Sequence, residues 1–168
     1  MVKVRLSRQE MAEVQQAAAL RWQLARASAV ANQKRAAAGD SDLDVLGLKA
    51  ECAVAKLFGL EDRTQALGID SGQDVWFGEF SIDVKATFHQ TGVLLFKSAE
   101  AFKADCAVLV TVTDVPEVMN VVGGISRKLF LERHRQADLG RGVCLVMGQD
   151  EIWPIETLWR KLAEMRFK

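Results

Sequence analysis

Residues 80–87 alternate strictly between apolar and polar side chains, a pattern that predicts a half-buried β-strand. The apolar positions are Phe80, Ile82, Val84 and Ala86, and the polar positions are Ser81, Asp83, Lys85 and Thr87. Because successive side chains of a strand point to opposite faces, the alternation places a carboxylate and an ammonium side by side on one face. The pair formed by Asp83 and Lys85 is the strongest candidate for chemistry in the chain.

A shorter β-rich run, residues 75–77, precedes this strand, and Gly78-Glu79 between the two is typical of a two-residue hairpin turn. Asp74 stands immediately before the shorter run, nine residues ahead of Asp83. The pattern therefore predicts a β-hairpin with one acid in front of it and a second acid inside its second strand.

The N-terminal segment, residues 1–39, predicts a short strand followed by a long helix. Residues 2–6 alternate between apolar and basic side chains, and Ser7 and Glu10 have the spacing of a capping box. Gly and Pro are then absent up to Ala38, so the helix is expected to reach that residue.

A second helix is expected over residues 43–58. Its apolar stripe consists of Leu48, Ala55 and Phe58 and also includes Glu51. A glutamate buried in such a stripe costs on the order of several kcal/mol unless a cation pairs with it. Two alternatives are open: Glu51 lies at the edge of the stripe and reaches solvent or a lysine such as Lys49 or Lys56, or it joins the polar face of strand 80–87.

The remaining pattern predicts an α/β protein with a mixed sheet flanked by helices. Strands are expected at residues 93–96, 106–112, 118–125 and 142–147, helices at residues 98–103, 127–135 and after Pro154, and a loop at residues 137–142. The tryptophans expected in the core are Trp76, Trp153 and Trp159. With 168 residues, the chain is expected to form a single domain over residues 1–168.

Composition and charge add little bias toward any class of protein. The chain is 49% hydrophobic and 26% charged, with a net charge of zero. Residues 1–39 carry a net charge of +5, residues 40–79 of −6 and residues 80–168 of +1. The basic N-terminal segment suits phosphates and the acidic middle segment suits cations, although both also fit an ordinary solvated surface.

The chain is expected to be cytoplasmic and not to enter a membrane. No apolar run approaches the roughly 18 residues of a membrane span, and no signal peptide opens the sequence. The three cysteines, Cys52, Cys106 and Cys144, lie in apolar runs without metal-ligand spacing, so they are expected to be free core residues.

Asp74, followed by Asp83-x-Lys85 in the second strand of a hairpin, resembles the signature of the PD-(D/E)XK nuclease superfamily. The resemblance is densest over residues 47–56 and 80–87 and looser over residues 93–160. The chain is similar to small phage- or prophage-type members of the superfamily. This resemblance implies that the protein is located in the cytoplasm of a bacterial host. The position before Asp74 holds Gln73 where the superfamily name has proline, and Asp70 is an alternative first acid.

This resemblance implies an αβββαβ restriction-endonuclease-like core over residues 43–112. Residues 1–39 are then an N-terminal extension of one strand and a long helix, and residues 113–168 add C-terminal strands and helices. The implied activity is Mg²⁺-dependent hydrolysis of DNA, as an endonuclease or an exonuclease, in phage DNA processing, repair or recombination. Mn²⁺ is an alternative metal.

The implied site combines metal ligands with groups that act on the phosphate. The metal ligands are Glu51, Asp74, Asp83 and the backbone carbonyl of Val84. Lys85 orients or deprotonates the attacking water and offsets charge on the phosphate. Thr87 and Lys97 are expected to contact phosphate oxygens.

The alternative function is a binding or assembly module that has the nuclease fold but no activity. The long N-terminal helix would be its partner surface. For the nuclease and for the binding module alike, this helix is expected to contact either a second copy of the chain, which would form a dimer, or another protein. The apolar side chains behind this expectation are Leu20, Trp22, Leu24 and Val30. Neutral net charge indicates that such a partner, rather than bulk electrostatics, helps to hold DNA.

Overall fold

The computed structural model describes residues 1–27, 40–60, 73–140 and 142–166. The helices are α1 (Arg8–Ala27), α2 (Asp40–Phe58), α3 (Arg127–Arg133) and α4 (Ile155–Arg166). The strands are β1 (Val2–Arg5), β2 (Val75–Phe77), β3 (Phe80–Thr87), β4 (Leu94–Phe96), β5 (Cys106–Val112), β6 (Val118–Ser126), β7 (Arg135–Asp138), β8 (Val143–Met147) and β9 (Trp153–Pro154). Asp70 and the expected continuation of the first helix to Ala38 lie outside the described residues.

The described strands form two sheets. The larger sheet has the order β1-β6-β5-β3-β2, with β9 also pairing with β6, and the smaller sheet has the order β4-β8-β7. β3 and β5 pair in parallel, whereas the other pairs are antiparallel. The prediction of an α/β protein with a mixed sheet flanked by helices is confirmed at this level.

The larger sheet separates two apolar clusters. One face packs against α1, α2 and α4, and its buried side chains include Val14, Leu48, Val54, Ile82, Val84, Val108 and Leu158. The other face packs against the smaller sheet and α3, and its buried side chains include Phe96, Phe102, Leu109, Ile125 and Phe130. Complete burial of one such side chain stabilises the fold by about 1.5–3 kcal/mol, so both clusters matter to the position of β3 between them.

The start of α1 is the capping box that the sequence predicts. The Glu10 N–H donates to Ser7 Oγ at 3.1 Å, and the Ser7 N–H donates back to Glu10 Oε2. Lys56 of α2 then binds Glu10 Oε2 at 2.7 Å, so the cap also connects the two helices.

Glu10 is therefore expected to make the free energy of unfolding depend on pH. Partial burial alone would raise the pKa of Glu10, but hydrogen bonds from Lys56 and Ser7 outweigh it and hold the pKa below its usual value of 4.5. The added stability is thus present above about pH 4.5 and is lost as the pH falls through the lower pKa of the folded state.

Glu10→Gln should lower the free energy of unfolding at neutral pH by about 0.5–1 kcal/mol, and the two proteins should converge in acid. Urea titrations over a pH series measure this difference. Glu13→Gln is the matched control, because Glu13 accepts from the uncharged Gln9 on the same helix. An equal loss at all pH values would show that charge is not the cause.

Two adjacent glycines allow close packing on β6. A Cβ on Gly123 would meet the Trp153 carbonyl oxygen, and a Cβ on Gly124 would meet the Ala107 carbonyl oxygen. Glycine in the interior of a strand commonly weakens that strand. In the structure these two glycines allow β9 to pair closely with β6 on one side and β5 to pair closely with it on the other.

The region between β3 and β5 differs from the sequence prediction. Residues 98–103 form turns rather than the expected helix, with single bonds from the Ala101 N–H to Ser98 and from the Phe102 N–H to Ala99. Six residues gain little from helix formation, and buried Phe102 instead stacks on Phe96. The expected third strand exists as β4, but it pairs with β8 in the smaller sheet.

Two further expectations were wrong. Part of the predicted loop at residues 137–142 belongs to β7, a polar edge strand whose partner β8 lies beyond the turn. Trp76 and Trp159 are exposed by 38% and 45%, whereas Trp153 is partly buried against both clusters.

The cysteines behave as predicted. Cys52, Cys106 and Cys144 are buried, and none of the three forms a disulfide. No helix among the described residues is long and apolar enough to cross a membrane.

Candidate active site

The β2–β3 hairpin sets the geometry of the site. Gly78 has φ 64°, the positive value that the first position of a two-residue type II′ turn requires. The turn fixes the register, with Phe77 opposite Phe80 and Val75 opposite Ile82. The predicted hairpin is therefore confirmed.

Asp74 is tied to the backbone on both sides of Asp83. Its N–H donates to the Ile82 carbonyl at 2.9 Å. Its carboxylate oxygen Oδ2 accepts from the Val84 N–H at 2.7 Å. Because Ile82 and Val84 flank Asp83 in the strand, these two bonds hold Asp74 beside that residue at the edge of β3.

Asp83 and Lys85 form an ion pair on the predicted polar face. Lys85 Nζ lies 2.6 Å from Asp83 Oδ1, which is the distance of a close salt bridge. The Asp83 side chain is only 1% exposed, whereas that of Lys85 is 38% exposed. The pair therefore has a buried anionic end and a cationic end that reaches the surface.

An aromatic cluster supports the cationic end. Lys85 Nζ lies 5.0 Å from the centroid of the Phe96 ring, a distance at which a ring attracts a cation. Phe96 stacks on Phe102 with a centroid separation of 4.1 Å and meets the edge of Phe130. The ring beneath Lys85 is thus itself fixed by packing.

The backbone carbonyl of Val84 points to the same edge as Asp74. The N–H and C=O of one strand residue point to the same side of the strand, and the Val84 N–H points to Asp74. The ladder between β2 and β3 has ended at the preceding pair, Val75 and Ile82. The carbonyl predicted as a metal ligand therefore lies on the side of the Asp74 carboxylate.

Glu51 has a cationic neighbour, but from an unexpected element. Its Oε2 lies 3.6 Å from Arg21 Nη2 of α1, and its side chain is 14% exposed. Neither lysine that the sequence offered as a partner holds it: Lys49 donates to the Pro116 carbonyl, and Lys56 binds Glu10. Since α2 packs on the face that carries Ile82 rather than Asp83, participation of Glu51 in the metal site stays a prediction.

The two predicted phosphate contacts occupy different environments. Thr87 ends β3, and its Oγ1 accepts from the His89 N–H at 3.1 Å. Lys97 is exposed just beyond β4. Asp70, the alternative first acid, lies outside the described residues.

Negative charge around β3 also affects a neighbouring thiol. Burial, and secondarily the charges of Asp105 and Asp83, raise the pKa of Cys106 to about 12. The thiol is therefore protonated at neutral pH, and its Sγ–H donates to the Ser81 carbonyl. Cys106 is therefore a buried core residue on the Ile82 face of the sheet rather than a nucleophile.

The oxygen donors at the edge of β3 fit the chemistry of Mg²⁺. This ion is commonly held by one or two carboxylates, with water and substrate phosphate completing its shell. Asp74 and Asp83 supply two carboxylates, and Val84 supplies a carbonyl. Within the described ranges, no three His, Cys, Asp or Glu side chains are grouped as metal ligands. The predicted metal set that includes Glu51 therefore stays a prediction.

Comparison with family models, with curated proteins and with solved structures finds no match to this chain. The nuclease interpretation thus depends on the residues and on the geometry described above.

Proposed function

We propose that the chain is a Mg²⁺-dependent DNA nuclease with Mn²⁺ as an alternative metal. The observation that carries the proposal is the placement of Asp74 against the backbone on both sides of Asp83, with Lys85 paired to Asp83. Two carboxylates and an ammonium at one strand edge provide both metal ligands and a cation for the phosphate.

Each residue of the proposed site has a separate task. Asp74, Asp83 and the Val84 carbonyl would hold the metal, which when bound supplies positive charge to the phosphate oxygens. Lys85 would donate a hydrogen bond to the attacking water or to a phosphate oxygen as negative charge develops. Its position over Phe96 keeps the ammonium at the surface end of the pair, where a phosphate can reach it.

A restriction-endonuclease-like core is part of the proposal. The features in its favour are a helix before the hairpin, the acids on the hairpin, and the parallel pairing of β3 with β5. The connection between β3 and β5 departs from the αβββαβ pattern, because it contains β4 of a second sheet and turns rather than a helix.

A binding or assembly module is the second candidate, and the burial of Asp83 favours it. A carboxylate that is 1% exposed and paired with Lys85 also fits a purely structural ion pair. A partner surface is offered by α1, where Leu20 and Trp22 are among the exposed apolar side chains. In this alternative the protein binds DNA or another protein without cleaving either.

Cleavage of three DNA forms separates the candidates. Closed circular plasmid, linear duplex and branched DNA are incubated with the protein and Mg²⁺ or Mn²⁺, with a chelator as control. The nuclease predicts metal-dependent products from at least one form. Cutting of the closed circle indicates an endonuclease, and degradation of linear DNA alone indicates an exonuclease. Binding of DNA without products in either metal would support the module.

A further inference from the structure

Trp76 is an exposed aromatic residue between two buried residues, Val75 and Phe77. Val75 and Phe77 pack into the cluster under α2, whereas Trp76 is 38% exposed. β2 is the last strand at its side of the larger sheet among the described residues. The indole is therefore held by a strand backbone yet open at the sheet edge.

The register places Trp76 on the face of the candidate site. It lies directly opposite Ser81 in the antiparallel ladder, and directly opposite residues share a face. Because Ser81, Asp83 and Lys85 alternate onto that same face, the indole is the diagonal neighbour of Asp83, with Cα atoms roughly 7–8 Å apart in a regular ladder.

We propose that Trp76 stacks against an unpaired nucleobase of the DNA strand whose phosphate reaches Lys85. The inference rests on the proposed function and adds to it a substrate class, DNA with single-stranded character near the cut. Bases within a duplex are already stacked on each other, so an indole at the sheet edge gains a partner only from an unpaired base. Stacking uses the π face that every base has, which predicts little sequence preference.

The fixed backbone of β2 favours this role over a loosely held surface tryptophan. The hydrogen-bonded ladder and the buried side chains on either side restrict the indole before any DNA arrives. Less conformational entropy is then lost on binding. A Cα–Cα distance of roughly 7–8 Å between Trp76 and Asp83 suits contact with a base next to the scissile phosphate rather than with a remote base.

The test measures binding rather than cleavage, with chelator present so that the wild-type protein leaves the probe intact. The probe is a fluorescein-labelled oligothymidine of about 12 nucleotides, with a blunt duplex of the same length for comparison. Trp76→Leu keeps apolar bulk but has no ring, and Trp76→Phe restores a smaller ring. Trp159→Ala is the matched control, because Trp159 is similarly exposed but belongs to α4 on the opposite face of the sheet.

Trp76→Leu should weaken oligothymidine binding by about 5- to 100-fold and duplex binding by less than about twofold. Trp76→Phe should recover most of the loss, and Trp159→Ala should bind as the wild type does. An oligonucleotide with abasic sites should bind the wild type as weakly as oligothymidine binds Trp76→Leu. Oligothymidine affinity equal to that of the wild type in Trp76→Leu would overturn the inference. The same conclusion would hold if Trp76→Leu altered the oligomeric state but left that affinity unchanged.

The outcome is separable from that of the proposed function. Trp76-dependent binding without cleavage of any DNA form would support the stacking role and contradict the proposed nuclease activity. Metal-dependent cleavage with Trp76-independent binding would support the nuclease activity and contradict the stacking role.

Discussion

Lys85→Ala is expected to abolish metal-dependent cleavage and also to lower the melting temperature. Loss of a group that orients water or offsets phosphate charge typically reduces the rate by about 10²–10⁴-fold. The stability effect follows from burial, because the variant leaves the Asp83 carboxylate inside the protein without its ammonium. Removing one partner of a fully buried pair costs about 3–5 kcal/mol, and the exposure of Lys85 reduces the expected loss to about 1–3 kcal/mol.

The double variant Asp83→Asn with Lys85→Ala separates structure from chemistry. It removes the buried charge as well as its partner, so its melting temperature should recover toward that of the wild type while cleavage stays absent. Asp83→Asn alone should be neutral or stabilising without metal, since it removes a carboxylate from a desolvated position near Asp74 and leaves a Lys85 ammonium that is 38% exposed to water. Cleavage by Lys85→Ala at the wild-type rate would exclude the catalytic role, and a double variant as unstable as Lys85→Ala would exclude the buried-charge explanation.

Asp74→Asn is expected to lower cleavage by at least about 100-fold with little change in melting temperature. Asparagine keeps an amide oxygen that can accept from the Val84 N–H, but it lacks the negative charge that a metal ligand needs. Asp74→Ala should lose stability as well, by about 1–3 kcal/mol, because the Val84 N–H then has no acceptor in the side chain.

Asp105→Asn is the matched control for this experiment. Asp105 Oδ2 accepts from the Ser81 N–H and from Ser81 Oγ, so it also fastens β3 through a carboxylate, although no role in metal binding is proposed for it. Its variant should cleave as the wild type does. Equal rates for Asp74→Asn and the wild type would assign Asp74 a structural role only.

Local patterns in the sequence predicted the parts of the site that local structure determines. Alternation over residues 80–87 correctly paired Asp83 with Lys85, and the two-residue turn correctly joined the hairpin. The same turn also fixes Trp76 opposite Ser81, so the exposed position of this tryptophan could have been predicted from its register. The prediction that Trp76 is a core residue is wrong because successive side chains of β2 alternate between faces, and only Val75 and Phe77 are buried.

Long-range packing explains what the sequence did not reveal. Alternation shows which side chains share a face, but not what covers that face, and the polar face of β3 is buried near Phe96 of a second sheet. The partner of Glu51 was missed for a similar reason. Arg21 lies on another helix, and nothing in the spacing of α2 indicates how α1 packs against it.

Nicking of closed circular plasmid by the wild type and Asp83→Asn, compared in Mg²⁺ and in chelator, tests the central claim most directly. Asp83 is the residue that the proposed site cannot lose, and its asparagine variant is expected to fold at least as well as the wild type. The nuclease account predicts open circles from the wild type in Mg²⁺ alone and none from Asp83→Asn. Equal nicking by the two proteins, or nicking that persists in chelator, would contradict it.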